Sequence, residues 1–410
     1  MLTEKRIREA QSRIVDLFAE QCLHGEQRRE LSMEGLTACG QFIGEKAKLD
    51  RQKGIHGSAA ALRTLARSNH PSAGTLCIGL IGYLAAELGL AVGTKLQAEF
   101  FRDEPTDDAF NVIKLSEVLL ALRAVPTAIY PTDYLQKQIA DRLMSGRRED
   151  RGWGYYIHTG PEDSEVDALP TAYAVLALSS YGQPLPGPVE YLFRRLERHD
   201  ERIGSDIMTS VLSCYVLAFS PNIGNLTDLS RLEALFKKRW RLLESLLGSD
   251  IEQNIEYPRG DKHEYIRVPW QLYMLAAASK LNPYSGFASS AAQRRLASIV
   301  DDVLTTGFRY PHSGDKISSR TNAILYDVLE QILGQLGYRP VYAVVNFCDK
   351  IRVYLGARVV TGFSAFLALA FIVCTVYAWV FTPRSNLASV APEFIGSAMI
   401  TLLMAIRKTR

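Results

Sequence analysis

The 410-residue sequence predicts an all-α fold of repeated helix pairs, ending in an apolar two-helix hairpin. Three observations carry this reading. Apolar residues recur at helical spacing throughout, so no segment reads as a sheet. Small-residue-rich helical segments return at intervals of roughly 40 to 60 residues. Near the C-terminal end, the 23 residues at 359–381 carry no charge.

Composition sets the outer bounds. Hydrophobic residues make up 47% and charged residues 22%, which excludes global disorder. A net charge of +3 gives no case for nucleic acid as a partner. The six cysteines (Cys22, Cys39, Cys77, Cys214, Cys348 and Cys374) are scattered, without a CxxC. They read as free thiols in a reducing compartment. The opening MLTEKRIREAQSR is charged and lacks the apolar core of a secretory signal.

The first element is an N-terminal helical segment within residues 1–50. Thr3 supplies a cap signal, and Ile7, Ile14, Leu17 and Phe18 follow at helical spacing. Residues 51–345 form the repeat region. Its small-residue helices fall at 54–66, 107–122, 167–182, 205–219, 268–281 and 318–333. Between them lie more charged amphipathic helices, such as 132–144 and 228–247. Ala, Ser, Thr and Gly let helices approach closely, as the inner ring of a closed double layer requires. An open two-layer solenoid is the competing arrangement.

A juxtamembrane linker at 346–358 leads to the apolar hairpin at 359–410. At about 1.5 Å per residue, the 359–381 run is long enough to cross a hydrocarbon core of roughly 30 Å. Tyr377 and Trp379 sit near its far end, where aromatic rings favour the interface. After the turn Thr382-Pro383-Arg384-Ser385-Asn386, residues 387–406 form the second segment, interrupted by Pro392 and Glu393. A full crossing is favoured over a re-entrant helix. Phe363, Leu367, Phe371, Trp379, Phe394 and Leu402 are the residues expected to meet lipid. Lys350, Arg352 and Arg358 precede the first span, and Arg407, Lys408 and Arg410 follow the second. Only Arg384 lies between, so both ends are expected in the cytoplasm.

One stretch carries a family resemblance. Gly152-Trp153-Gly154-Tyr155-Tyr156, a polar loop, then Pro170-Thr171-Ala172-Tyr173-Ala174-Val175-Leu176-Ala177-Leu178 resembles the repeat of the prenyltransferase and squalene-cyclase superfamily. Gly307-Phe308-Arg309-Tyr310-Pro311 and Asn254-Ile255-Glu256-Tyr257-Pro258 look like weaker copies. The resemblance covers about a quarter of the chain and implies an α/α toroid of about six helix pairs. It does not fix activity, because one fold hosts many functions.

Class II terpene cyclases of that superfamily carry a DxDD motif, in which clustered carboxyls keep one proton available. The nearest match here is Pro105-Thr106-Asp107-Asp108, which lacks the first aspartate. Asp107 and Asp108 are the catalytic candidates, weighed against a role as helix N-terminal acids. Zinc-dependent members hold their metal with Asp, Cys and His. No such motif is present, and no cofactor is expected. His56, in Gly-Ile-His-Gly-Ser-Ala, reads as a structural histidine at a helix entry. The binding candidates are Trp153 and Tyr155 of the aromatic turn, the acids Asp163 and Asp167, and His158 and His312. The two histidines each follow an aromatic turn; Asp167 also reads as a cap for the next helix.

Three functions follow as expectations. The first is a membrane-anchored, non-catalytic protein whose cytosolic domain binds a small molecule or a protein. The second is a terpene-cyclase-like or prenyltransferase-like enzyme on an apolar isoprenoid. The third is a membrane-perturbing effector gated by the helical domain. Small residues in the hairpin, among them Gly362, Ser364 and Gly396, suit close helix packing and a homo-oligomer.

Overall fold

Helices form where the apolar spacing places them. The computed structural model describes residues 3–27, 55–91, 110–148, 151–157, 165–198, 205–220, 226–259, 262–306 and 319–336. In chain order the helices are α1 (Glu4–Gln27), α2 (Ile55–Leu65), α3 (Ala73–Glu87), α4 (Val112–Ala124), α5 (Asp133–Ser145) and α6 (Ala168–Ser180). They continue with α7 (Pro186–Arg198), α8 (Ser205–Phe219), α9 (Leu226–Ser245), α10 (Trp270–Leu281), α11 (Ser290–Thr306) and α12 (Ser319–Leu336). A single π-helical turn, Pro283–Phe287, links α10 to α11.

The even-numbered helices are successive neighbours. Helix α2 packs on α4, α4 on α6, α6 on α8, α8 on α10 and α10 on α12, and α12 returns to α2. Their sequences fit such double-sided contact. In α10 only Lys280 is exposed. In α6 every residue is buried except Leu176 and Ser180, which are half-buried. Ala, Ser and Thr on these helices allow backbones to come close without voids.

Among the odd-numbered helices, α5 and α7 bury one stripe each, whereas α3 is buried over most of its surface. In α7 the buried set is Pro188, Leu192, Phe193 and Leu196, at helical spacing, while Arg194 and Arg195 face water. Each fully buried Leu or Phe of this kind contributes about 1.5–3 kcal/mol. Helices α3, α5, α7 and α9 pack on α2, α4, α6 and α8 respectively. Helix α1 lies against α11 and α12, burying Ile7, Ala10, Ile14 and Phe18. The N-terminal helix therefore shares one hydrophobic core with the repeat helices.

One element departs from the expected absence of any sheet. Strands β1 (Gln253–Arg259) and β2 (Lys262–Val268) form an antiparallel hairpin in register Ile255 to Ile266 and Tyr257 to Glu264. Ile255, Tyr257, Ile266 and Val268 are buried, while Glu256 and Tyr265 face outward. That alternation is short, and the sequence reading took Asn254 to Pro258 as a copy of the aromatic turn instead. The helical class otherwise holds.

Helix α4 begins later than its sequence suggested. Asn111 is the N-cap, its side chain accepting from the Lys114 N–H at 3.1 Å. Asp107 and Asp108 are thus not in the first turn of this helix; both lie outside the described residues.

The chain divides into Met1–Gly337 and Tyr338–Arg410. The apolar segments at 359–381 and 387–406, with Phe363, Leu367, Phe371, Trp379, Phe394 and Leu402, lie outside the described residues. Among the described residues, no helix is long and apolar enough to cross a membrane.

Candidate functional site

All six even-numbered helices send side chains into one small cavity. Two helices supply matching stripes. On α2 the stripe is His56, Ala59, Ala60 and Arg63; on α12 it is Arg320, Ala323, Ile324 and Asp327. Both follow i, i+3, i+4, i+7 spacing, which places four residues on one helix face. Polar groups stand at the stripe ends and small or apolar groups between them. Helix α4 adds Glu117, and α6, α8 and α10 each add a tyrosine: Tyr173, Tyr215 and Tyr273.

Charge is organised as two clusters, the first largely buried and the second running out to the surface at Glu330. In the first, Arg320 Nε lies 2.8 Å from Glu117 Oε1, and Arg320 Nη2 donates to Glu117 Oε2 at 3.0 Å. His56 Nδ1 contacts the same Oε2 and lies 2.6 Å from Arg320 Nη2. Arg320 Nη1 also donates to the Arg267 carbonyl at 3.2 Å, tying the cluster to β2. In the second cluster, Arg63 Nη2 lies 2.6 Å from Asp327 Oδ2, and Arg67 pairs with Asp327 Oδ1 and with Glu330. The Arg67 guanidinium also sits 5.4 Å from the Tyr326 ring centroid.

These surroundings fix the protonation states. Burial, reinforced by Arg320, pulls the His56 imidazole down to about 4, so it is neutral at pH 7. Burial alone would raise Glu117, but Arg320 and His56 outweigh it and bring the carboxyl to about 2. Burial is also the largest cause raising Tyr173, Tyr215 and Tyr273, which stay protonated.

The tyrosines form an aromatic wall. The Tyr215 and Tyr273 ring centroids are 4.7 Å apart at 49°. The Tyr215 hydroxyl accepts from Gln331 at 3.0 Å. The Tyr173 hydroxyl is buried beside Tyr273 without a well-formed hydrogen bond.

The predicted binding residues Trp153, Tyr155 and Asp167 come together elsewhere, in the turn that seats α6. Trp153 is fully buried, and its indole donates to the Leu143 carbonyl at 2.6 Å. Its backbone N–H donates to Thr171 Oγ1 at 3.0 Å, and its carbonyl accepts from the Asp167 N–H at 3.0 Å. Asp167 caps α6, accepting from the Leu169 N–H at 2.7 Å. The Tyr155 hydroxyl reaches Asp167 at 3.5 Å, and its ring stacks on Tyr257 at 4.7 Å. None of the three lines the cavity. His158, Asp163 and His312 lie outside the described residues.

His56 is the one cavity residue that sequence reading singled out, as a structural histidine. Glu117, Arg320, Arg63 and Asp327 went unnoticed. Their signal was faint: Glu117 shares its helix with Lys114 and Arg123, and Arg320 and Asp327 share theirs with Glu330, so no one charge stands out. Cys77 and Cys214 are buried free thiols, pushed up to about 12 by burial. Among the described residues, no group of three or more His, Cys, Asp or Glu is placed to hold a metal ion.

No family model, curated protein or solved structure matches the chain.

Proposed function

We propose that this chain is a membrane-anchored, non-catalytic protein whose cytosolic domain is an α/α toroid that binds a small ligand in its central cavity. The cyclic succession of even-numbered helices supports the toroid. The charge-free run at 359–381, flanked by basic residues, supports the anchor. The observation that carries the ligand reading is the Glu117–His56–Arg320 cluster in the cavity wall. Buried charges of this kind are costly to a fold, and they concentrate at functional sites.

The protonation states favour binding over proton-transfer catalysis. Efficient general acids and bases have pKa values near the working pH. Glu117 at about 2 and His56 at about 4 are both far from neutrality. An apolar isoprenoid suits this cavity poorly, since its chain would strip water from the ion pairs and return no hydrogen bond.

The test is native mass spectrometry of the full chain purified in detergent, with the released small molecules identified. Retention of a polar small molecule at one per chain is expected. A retained isoprenoid, or conversion of polyprenyl substrates to product, would overturn the reading in favour of an enzyme. The anchor is tested by an alkaline carbonate wash of membranes. The chain is expected to stay in the pellet; release to the supernatant would overturn the anchor.

A further inference from the structure

Resting on the reading that the chain is anchored in a bilayer, we propose that the outward face of α7 and α9 is a docking surface for anionic lipid headgroups. Six basic side chains meet the lipid: Arg194, Arg195 and Arg198 of α7, and Lys237, Lys238 and Arg241 of α9.

The face is built by the packing of these two helices. Burial of the apolar stripe of α7 turns its charges outward, leaving Arg194, Arg195, Glu197 and Arg198 exposed. On α9 the exposed set is Ser230, Ala234, Lys237, Lys238, Arg241 and Ser245. These positions share one side of the helix, a stripe with three basic residues and no acid. The two helices pack on one another. Arg231 of α9 donates to Glu190 at 3.1 Å and to Glu197 at 2.8 Å, and Arg239 donates to the Leu196 carbonyl.

These contacts leave the face positive. Glu190 and Glu197 are already taken by the half-buried Arg231, and Glu190 also by Arg194 at 3.0 Å. Lys237 pairs with Glu233 at 3.0 Å, an exposed contact that water weakens. Arg195, Arg198, Lys238 and Arg241 have no ion-pair partner among the described residues. The remaining odd-numbered helices lack this excess. Among their described residues, α1 and α11 expose acids and bases in equal number, α5 exposes two acids to one base, and α3 exposes no charge.

The kind of partner follows from what the face lacks. Phe193, Phe236 and Trp240 of these helices are buried, so none of them offers a ring for base stacking. The exposed residues include no large apolar or aromatic side chain of the kind that anchors a protein interface. An anionic leaflet needs neither feature, and it attracts clusters of about four to eight Lys or Arg on a helix face. An anchored chain is also held beside the bilayer, where a weak attraction per side chain is enough to dock it.

The experiment is pulsed lysine acetylation of the full chain in lipid nanodiscs, read by mass spectrometry. One set of discs is phosphatidylcholine alone, and the other contains about 30% phosphatidylserine. Lys237 and Lys238 are expected to react about threefold or more slowly in the anionic discs, and about 0.5 M salt is expected to remove the difference. Lys5 and Lys137, exposed on α1 and α5, are expected to react equally in both. Combining Arg195→Gln, Arg198→Gln and Arg241→Gln is expected to restore reactivity at Lys237 and Lys238. The thermal midpoint should stay unchanged, because all three side chains are exposed.

Equal reactivity of Lys237 and Lys238 in the two kinds of disc would overturn the lipid assignment. If both lysines are protected in both discs and salt has no effect, the face is covered by a protein, a second copy of this chain included. Slowing shared by Lys5 and Lys137 would also overturn the assignment, since it reports the charge of the bilayer and not a docked face. If the carbonate wash releases the chain, the anchor reading fails by itself. Sedimentation with anionic but not neutral vesicles would then still support the basic face, and sedimentation with neither would overturn it too.

Discussion

Arg320 Nε lies 2.8 Å from Glu117 Oε1, joining α12 to α4 across 203 positions of sequence. The pair also touches His56 on α2, so three helices meet on one carboxylate. The balance of such a buried pair is asymmetric. Glu117→Gln leaves the Arg320 charge buried without its counter-charge and is expected to lower stability by about 3–5 kcal/mol. Replacing both partners, as Glu117→Met with Arg320→Met, is expected to recover most of that loss. Thermal unfolding of the full chain, followed by helical circular dichroism, checks both. Equal losses in the single and double variants would show that the pair does not act as a unit.

The same cluster makes stability depend on pH. His56 falls from an ordinary 6.5 to about 4 on folding, so the unfolded chain binds more protons between those values. Glu117 falls from 4.5 to about 2, with the same sign. Both contributions are fully present above the unfolded values and are lost as pH falls through the folded ones. Stability is therefore expected to decline in two steps, from pH 6.5 to 4 through His56 and from 4.5 towards 2 through Glu117. At 1.36 kcal/mol per pKa unit, the His56 step is on the order of 3 kcal/mol. Arg320, Lys114 and Glu117 are the charges acting on His56. His56→Gln should flatten the upper step; an unchanged profile in that variant would refute the assignment.

Much of this architecture is legible in the sequence, and the failures have physical reasons. The inner-type segments at 205–219 and 268–281 nearly coincide with α8 and α10, because small residues at helical spacing are a local signal. The β-hairpin was missed because its alternation spans only Ile255 and Tyr257 on one strand and Ile266 and Val268 on the other. The start of α4 was misjudged because Asp107 and Asp108 look like first-turn acids, whereas Asn111 supplies the cap. The cavity stripes on α2 and α12 were readable as stripes. Their pairing was not: His56 and Arg320 are 264 residues apart and meet only when α12 packs on α2.

The aromatic turn before α6 rests on a glycine. Gly152 has φ of +150°, and a Cβ there would meet Thr171 Oγ1 at 2.4 Å and Cγ2 at 2.8 Å. Thr171 Oγ1 is also the acceptor for the Trp153 N–H. Gly152→Ala is expected to cost about 1–3 kcal/mol from backbone strain, with a further loss as Thr171 is displaced. The thermal midpoint reports this. A midpoint matching the parent protein would show that the turn has slack the geometry does not suggest.

Asp167 has a narrower role as the N-cap of α6. Its carboxylate accepts from the Leu169 N–H at 2.7 Å, satisfying one of the free donors at the helix start. Asp167→Ala is expected to lower stability by about 1 kcal/mol, and Asp167→Asn by much less, since asparagine caps nearly as well. Ligand retention should be unchanged in both, because Asp167 is not in the cavity wall. Loss of the retained molecule in a folded Asp167→Asn protein would return this residue to the binding site.

Helix α1 bears on the cavity through α12. Its apolar face packs on α11 and α12, with Phe18 1% exposed and Ile14 1% exposed. Arg6 pairs with Asp301 on α11, and Gln11 donates to the Tyr326 carbonyl of α12 at 3.4 Å. Tyr326 adjoins Asp327, the carboxylate that holds Arg63 and Arg67. Loosening α1 therefore frees the far side of the helix that supplies one partner to each of the cavity's arginine–carboxylate pairs. Phe18→Ala is expected to cost about 3–5 kcal/mol, as for a fully buried aromatic side chain. Because α12 needs its outer cover to hold Arg320 and Asp327 in place, ligand retention should fall as well, in the fraction that remains folded. Native mass spectrometry of Phe18→Ala reads both effects together. Full ligand occupancy in a destabilised but folded Phe18→Ala protein would show that α12 holds its position against α2 without help from α1.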